Sequence, residues 1–326
     1  MTEMHGVSDK VLHRITGRRS GKPLWEYSSI EQFVRAMICV LETHKFLSDN
    51  GIVLGDISAG NILIDVKYAD EDRVPEEYPV EDTRAFFTDF DLPLAALLLE
   101  RDRSVQTQTK ARSSDGMTGT VTFMSQRVLY AAIKQRHIVR TTEDDLESFS
   151  WVVFYAVYRH ALQDEEGLER MTTEFAKIKT THSRTDTTVC QDFRDEFDSI
   201  FSATSIRDLH SKRAGPLGRH FHELFPYLWA YALNCDADGY GRPLAGLLLV
   251  VWAFLKSFQV SNEPYKLSDD PLLAEWEADY GQYAPRVVVG KNDHGKPSQT
   301  DVLSMLDRAM RQIAEIKASL ASDMSD

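Results

Sequence analysis

Asp56 and Asn61 are the residues whose types and spacing best fit a chemical role. They stand five positions apart and lead directly into the apolar run at residues 62–64. A carboxylate can orient a hydroxyl group and take its proton, and an amide oxygen is a ligand that Mg²⁺ accepts. Asp89 follows a second short apolar stretch, and an ion held by Asn61 and Asp89 would offset phosphate charge. Because Asp and Asn are common in loops, this pattern alone is a weak signal of phosphoryl transfer.

Three further motifs follow the Asp56 segment along the chain. They are Asp89-Phe90-Asp91, Thr118-Gly119-Thr120 with Phe123-Met124-Ser125, and Asp144-Asp145-Leu146-Glu147-Ser148. With Asp56-Ile57-Ser58-Ala59-Gly60-Asn61-Ile62-Leu63-Ile64 they resemble, in the same order, the C-terminal lobe of protein kinases. The resemblance implies a mainly α fold, a helical bundle in which short β-hairpins carry the catalytic and metal-binding loops.

The details resemble one family, the fungal-type protein kinase domain. The similarity runs from about Val11 to Trp151 and more loosely to about residue 260. It implies ATP- and Mg²⁺-dependent phosphorylation of serine or threonine in proteins. On this resemblance Asp56 is the catalytic base, and Asn61 and Asp89 bind the magnesium ion and, through it, the nucleotide. Two further residues are expected near the site in structural roles: Asp145, as an acceptor of backbone amides close to the catalytic loop, and Thr120.

The sequence departs from the general kinase pattern in three places. Leu54 and Gly55 occupy the positions of the usual His-Arg pair, so a phosphorylated activation segment loses a charge-assisted partner. Arg127 stands where a glutamate normally ends the activation segment, so we expect that anchor to be absent or rebuilt. Only 55 residues precede Asp56, and none of them read as a glycine-rich loop or as the Val-Ala-Ile-Lys strand. We therefore expect most of the N-terminal lobe to be missing and the adenine half of the site to be exposed.

Two functions from different classes follow from these features. The first is a protein serine/threonine kinase that is weak or inactive as this chain alone, acting on a protein substrate or completed by a partner kinase lobe. The second is a single-lobe pseudokinase that acts as a binding or scaffold module. A weaker alternative is a small-molecule phosphotransferase, because Gly55-Asp56 resembles aminoglycoside-type enzymes. In each case an exposed lobe face predicts self-association.

The composition excludes several other classes of protein. A net charge of −13 argues against nucleic acid and against an anionic membrane surface as partners. The three cysteines, Cys39, Cys190 and Cys235, are widely spaced, which predicts free thiols and an intracellular protein of the cytoplasm or nucleus, not a secreted one. The longest apolar run, residues 244–255, is shorter than the ~20 residues that span a bilayer and predicts a buried helix.

The chain divides into three predicted parts: residues 1–27, a residual N-lobe strand and hinge; residues 28–262, the lobe; and residues 263–326, a C-terminal extension. A capping box of Ser28 and Glu31 predicts the start of a helix that ends near Gly51. Strands at 62–64 and 85–87 flank an acidic, proline-bearing insertion, residues 67–84, expected to be a mobile, solvated loop. A core helix is expected at 143–160, a polar activation segment at 92–118, and a last helix from about Asp301 that packs on its own lobe.

Overall fold

The computed structural model describes residues 21–67, 76–88, 121–178, 186–214, 225–236, 241–258 and 298–323. Helices make up most of these residues, so the predicted mainly α fold is confirmed. The described helices are α1 (Ile30–Asp49), α2 (Gln126–Ile133), α3 (Thr142–Ala161), α4 (Glu165–Ile178), α5 (Asp186–Phe201), α6 (Ile206–Ala214), α7 (Pro226–Asn234), α8 (Gly241–Ser257) and α9 (Gln299–Asp323).

A small antiparallel sheet lies beside the segment that holds Asp56. The strands are β1 (Gly21–Pro23), β2 (Ile62–Lys67), β3 (Glu76–Glu77) and β4 (Ala85–Phe87). All three other strands pair with β2, which is therefore the centre of the sheet. Ile62 and Ile64 are buried while Leu63 between them is only partly buried, the alternation of a strand with one face on the core. The strands predicted at 62–64 and 85–87 are confirmed.

The acidic insertion differs from its prediction over its described part. Val66 and Lys67 at the end of β2 pair with Glu77 and Glu76, so the insertion extends the sheet before the chain returns to β4. A 3₁₀ turn at Val80–Asp82 then follows Pro79, whose fixed φ suits the entry into a turn. Residues 76–84 therefore contain a strand pairing and a turn that were not predicted, while the side chains at 78–84, Thr83 excepted, are exposed or half-buried.

Helix α1 begins one residue later than the capping pattern predicts. Ser29, not Ser28, is the N-cap, and its hydroxyl accepts the backbone N–H of Gln32 at 3.1 Å. The Gln32 side chain accepts the N–H of Ser28, the residue before the N-cap, at 2.8 Å, so Gln32 and not Glu31 reaches back to the start of the helix. Glu31 instead forms an ion pair with Arg35 one turn along the helix at 2.8 Å. Ser29 and Gln32 have the same spacing as Ser28 and Glu31, one residue further along the chain. With Ser29 as the N-cap, the carboxylate of Glu31 is available to pair with Arg35.

Helix α3 lies at the centre of the molecule and confirms the predicted core helix at 143–160. It is buried around most of its circumference, and each large apolar side chain that it buries contributes ~1.5–3 kcal/mol. The segment after β1 packs on it: Trp25 meets Tyr155 edge-on with ring centroids 5.8 Å apart. Tyr27 stacks on His160 at 3.7 Å, and His160 Nδ1 donates to the carbonyl oxygen of Trp25.

Two long helices complete the core around α1 and α3. Helix α8 covers the apolar run at 244–255, and the described side chains of that run are buried, as predicted. Helix α9 packs against α1 and α8, so the prediction that the last helix packs on its own lobe is confirmed. Its buried apolar residues are Met305, Leu306, Ala309 and Ile313. Among the helices that the structure describes, none is long and apolar enough to cross a membrane.

Candidate active site

The candidate catalytic residues lie on the loop that joins α1 to β2, residues 51–61, called here the Asp56 loop. It begins at Gly51, whose φ of +80° ends α1 as predicted, with the N–H of Gly51 donating to Ser48 and that of Ile52 to Leu47. It ends in a 3₁₀ turn, Ala59–Asn61, that leads directly into β2. The loop is therefore fixed at both ends by regular structure.

Asp56 and Asn61 are joined within this loop. The side-chain amide of Asn61 donates from Nδ2 to the backbone carbonyl of Asp56 at 3.2 Å, and its backbone N–H donates to Ser58 at 3.1 Å. The carbonyl of Asn61 accepts the N–H of Thr88, which follows β4. Because Nδ2 is already used, the amide oxygen of Asn61 is the atom left to bind a ligand, and oxygen is what Mg²⁺ prefers. The residue present therefore fits the ion that the resemblance implies.

Asp145, in the first turn of α3, holds the Asp56 loop from beneath. Its side chain is only 2% exposed. One carboxylate oxygen accepts the N–H of Gly55 at 2.9 Å, and the other accepts the N–H of Leu54 at 3.0 Å and a hydrogen bond from His44 Nε2 at 3.1 Å. Gly55 has a φ of +70°, a backbone conformation that residues with a Cβ rarely adopt. Leu54 and Gly55, which stand in place of the usual His-Arg pair, thus bind Asp145 through their backbone amides.

A second segment, residues 121–127, forms the wall that faces the Asp56 loop. Ser125 caps α2 and donates its hydroxyl to Asp144 Oδ1 at 2.7 Å. Arg127 donates Nε to the same oxygen at 3.0 Å and forms an ion pair with the other. Burial raises the pKa of Asp144, but the hydrogen bonds from Arg127 and Ser125 outweigh it, and its pKa lies below the ordinary value. Arg127 therefore anchors the wall to α3.

A buried arginine on α6 supports the same wall. Arg213 is 1% exposed, donates Nη1 to the carbonyl of Met124 at 2.9 Å and Nη2 to the carbonyl of Thr122, and lies 4.0 Å from the centroid of the Trp151 ring. Glu147 on α3 accepts the N–H of Gln126 at 2.9 Å. Burial raises the pKa of Glu147 to about 7, against the opposing effects of that amide and of the Arg213 charge. The anchor expected to be absent or rebuilt at Arg127 is rebuilt from two arginines and two carboxylates of α3.

A narrow cleft opens between the Asp56 loop and the wall. Asp56 lines it beside Met124 of the wall and Arg140, which precedes α3. The carboxylates beneath the cleft, Asp144 and Asp145, are engaged by the contacts above. Asp56 lies in the lining of this cleft, and a carboxylate at such a place can act as a general base towards a hydroxyl group.

The structure brings together three of the predicted site residues, Asp56, Asn61 and Asp145. Asp89, Thr120 and the predicted activation segment at 92–118 lie outside the described residues. Among the residues that are described, no group of three or more His, Cys, Asp or Glu side chains is arranged to hold a metal ion. Residues 1–20 and most of the extension at 263–326 before α9 also lie outside them.

Sequence reasoning missed several residues that shape the site. Asp144 and Glu147 belong to a motif that was recognised, but only Asp145 received a role from it. His44 lies in the apolar face of α1 and is 0% exposed, as a packed core residue would be, but it also binds Asp145. Arg213 has no local signal, because its two carbonyl partners lie 89 and 91 positions away in the chain.

The comparisons with known proteins identify a family for the part of the chain that contains this site. Residues 2–157 match the family model described as fungal protein kinase. This confirms the resemblance of residues 2–157 to a fungal-type protein kinase. The match includes the Asp56 loop, the wall and the first four turns of α3, but neither Arg213 nor α9. No curated protein and no solved structure matches the chain.

Proposed function

We propose that this chain is a member of the fungal protein kinase family and has the architecture of a kinase C-terminal lobe. We propose further that it transfers a phosphoryl group from ATP to serine or threonine hydroxyls of proteins, with Mg²⁺ as cofactor. The observation that carries the proposal is the joined pair of Asp56 and Asn61, on a loop whose amides are fixed by Asp145. Phosphoryl transfer depends chiefly on positioning and on offsetting charge, and a loop held at both ends supplies the positioning.

Each of the predicted site residues has a distinct part in this proposal. Asp56 orients the substrate hydroxyl in the cleft and accepts its proton as the phosphoryl group is transferred. Asn61, through its amide oxygen, and Asp89, by family resemblance, would bind the magnesium ion, which offsets the charge of the phosphates. Asp145 does not touch the substrate. It holds the backbone amides of Leu54 and Gly55, and in this way it fixes the position of the Asp56 carboxylate.

We expect the transfer to be weak or absent for these 326 residues alone. Residues 1–55 contain no glycine-rich loop to cover the phosphates and no Val-Ala-Ile-Lys lysine to pair with them. The same observation favours a second function, a pseudokinase that acts as a binding module. Leu54 and Gly55 in the place of His-Arg support that alternative, since the loop then has no arginine to receive a phosphorylated segment.

Nucleotide titration and a transfer assay separate these functions. Isothermal titration of the purified chain and of Asp89→Ala with Mg-ATP measures binding, and labelled ATP with a mixed protein substrate measures transfer by the chain and by Asp56→Asn. Asp49→Asn, a change at an exposed position at the end of α1, is the matched control. Transfer that Asp56→Asn loses and Asp49→Asn retains supports the kinase, and transfer equal in all three overturns it.

The remaining outcomes of that experiment decide between the alternatives. Magnesium-dependent binding without transfer supports the pseudokinase and counts against catalysis by this chain alone. No binding at millimolar nucleotide overturns the nucleotide-dependent proposal and leaves the binding module. Replacing the protein substrate by an aminoglycoside tests the small-molecule alternative, which requires labelled sugar and no labelled protein.

A further inference from the structure

A chain of buried side chains connects the C-terminal helix to the Asp56 loop. Gln299, the first residue of α9, places its side-chain nitrogen 2.7 Å from His44 Nδ1. His44 Nε2 lies 3.1 Å from Asp145, which in turn accepts the amides of Leu54 and Gly55. Gln299 and His44 stand 255 positions apart in sequence, and α9 lies outside the part of the chain that matches the kinase family.

The contacts of His44 favour one tautomer of its ring. An amide nitrogen only donates hydrogen bonds, so Gln299 requires Nδ1 of His44 to be an acceptor. The proton then lies on Nε2, and it points at the carboxylate of Asp145. Because His44 is 0% exposed and Gln299 only 9% exposed, water has little access to replace either contact.

We propose that Gln299 is a positioning residue and that α9, through His44 and Asp145, sets the geometry of the Asp56 loop. Asp56 directly follows Gly55, whose backbone amide binds Asp145. A shift of the Asp145 carboxylate therefore shifts the backbone at Gly55 and with it the side chain of Asp56. Helix α9 is itself fixed on α1 by an ion pair between Lys317 and Glu31 and by its apolar face. We call these contacts, from Gln299 through His44 and Asp145 to the amides of the Asp56 loop, the relay. The relay does not depend on whether the loop is catalytic, but its effect on phosphoryl transfer rests on the proposed function.

Two variants of the same helix test the relay. Gln299→Met keeps a side chain of similar length but removes the hydrogen bond to His44. Gln312→Met is the matched control: Gln312 is 8% exposed on the same helix and lies ~20 Å further along its axis. Nuclear magnetic resonance measures the imidazole nitrogen shifts of His44 and the hydrogen exchange of the Leu54 and Gly55 amides.

We expect Gln299→Met to release the His44 tautomer and to lower the protection of the two amides by roughly fivefold, the effect of one hydrogen bond. Gln312→Met leaves both signals as they are in the natural chain. Equal effects of the two variants, or none from Gln299→Met, overturn the relay. These readouts need no catalysis, so a chain that transfers no phosphate still tests the relay. If transfer is measurable, Gln299→Met lowers kcat and leaves the KM for ATP unchanged.

A separate observation, the charge around the cleft, points to the class of substrate. The chain has 50 acidic and 37 basic residues, yet residues 116–142 contain no Asp or Glu. The end of this stretch carries Lys134, Arg136, His137 and Arg140, of which the first three are exposed. Arg140 lines the cleft with Asp56 and lies so close to Gly55 that a Cβ there would be 3.1 Å from its Cδ.

Arg136 and Arg140 have no carboxylate partner within the described part of the chain, in contrast to Arg127, which is paired with Asp144. Three aspartates also line the cleft, but Asp144 is paired with Arg127, and Asp145 binds His44 and two backbone amides. Charges act over ~8–10 Å at physiological salt, so a peptide that extends from the cleft towards residues 134–140 lies within reach of their positive charge. We infer that the cleft takes peptides with acidic residues next to the accepting hydroxyl. This inference also rests on the proposed function.

Peptide binding tests the charge preference without requiring transfer. A fluorescent peptide with a serine between glutamates is compared with its Glu→Gln counterpart by polarisation, at low and at physiological salt. We expect the acidic peptide to bind roughly fivefold more tightly, and Arg136→Gln with Arg140→Gln to remove the difference. Lys45→Gln with Arg207→Gln, which removes two positive charges outside the cleft lining, should keep it. Equal binding of both peptides, or a preference that survives the first pair of changes, overturns the inference.

Discussion

Replacing Glu147 by glutamine should remove a pH dependence of stability that the buried wall anchor creates. Glu147 is 4% exposed, and burial raises its pKa from 4.5 to about 7. Glutamine keeps an oxygen for the N–H of Gln126, which Glu147 accepts at 2.9 Å, and it carries no charge at any pH. The substitution therefore changes the ionisation and leaves the main contact in place.

The sign and the size of the effect follow from the direction of the shift. Between pH 4.5 and about 7 the folded protein holds a proton that the unfolded chain has released. The stability that this proton contributes is fully present below the unfolded pKa and is lost as the pH rises through the folded pKa. At about 1.36 kcal/mol for each pKa unit, the free energy of unfolding falls by roughly 3 kcal/mol across this range. In Glu147→Gln this fall is absent.

Urea unfolding of the natural chain and of the variant at about pH 5 and about pH 8 measures the difference. We expect the variant to be more stable than the natural chain by roughly 3 kcal/mol at the higher pH and to match it closely at the lower. Glu166→Gln, at a side chain that is 87% exposed, should leave the pH profile unchanged. Burial also raises the pKa of Glu196 to about 7, so Glu196→Gln should remove a second pH-dependent loss of stability of similar size. Parallel profiles of Glu147→Gln and the natural chain would refute the reasoning.

Substitutions at three further positions test other contacts of the site and its supports. Gly55→Ala should cost ~1–2 kcal/mol in unfolding free energy, because its φ is +70° and the new Cβ meets Arg140 at 3.1 Å; a value near zero in urea would show that the loop relaxes freely. Arg213→Met should cost ~1–3 kcal/mol, since it leaves the carbonyls of Met124 and Thr122 without their donor, and Arg213→Lys should recover only part when measured in the same way. Lys317→Met should cost less than ~1 kcal/mol, because its side chain is 47% exposed and Glu31 keeps a second cation; salt-dependent unfolding checks this.

The elements of this fold were predictable from the sequence wherever the signal is local. The apolar periodicity of α1 and α3 and the glycine at the end of α1 depend on residues within a few positions of one another, and these predictions are confirmed. The start of α1 was wrong by one residue because two capping boxes with the same spacing overlap at residues 28–32. Local patterns do not distinguish two neighbouring solutions of nearly equal energy.

The long-range contacts of the site could not be predicted in the same way. Arg213 with its wall carbonyls and Gln299 with His44 are pairs that only the packing of distant helices brings together. A buried arginine and a buried glutamine look like surface residues in sequence, since both types are usually exposed. The roles of Asp56, Asn61 and Asp89 in catalysis stay predictions, which the assays above address.

The first turns of α3 explain how the described part of the chain holds the candidate site in shape. Asp144 binds the wall through Ser125 and Arg127, Asp145 binds the Asp56 loop, and Glu147 binds the wall again at Gln126. Carboxylates near a helix N-terminus are stabilised by its dipole, which favours acidic residues at this place. Because one rigid helix end holds both sides of the cleft, the distance between Asp56 and the wall is set within the described part of the chain. A nucleotide or a partner lobe would then meet a cleft that is already formed, so binding need not include the cost of assembling it.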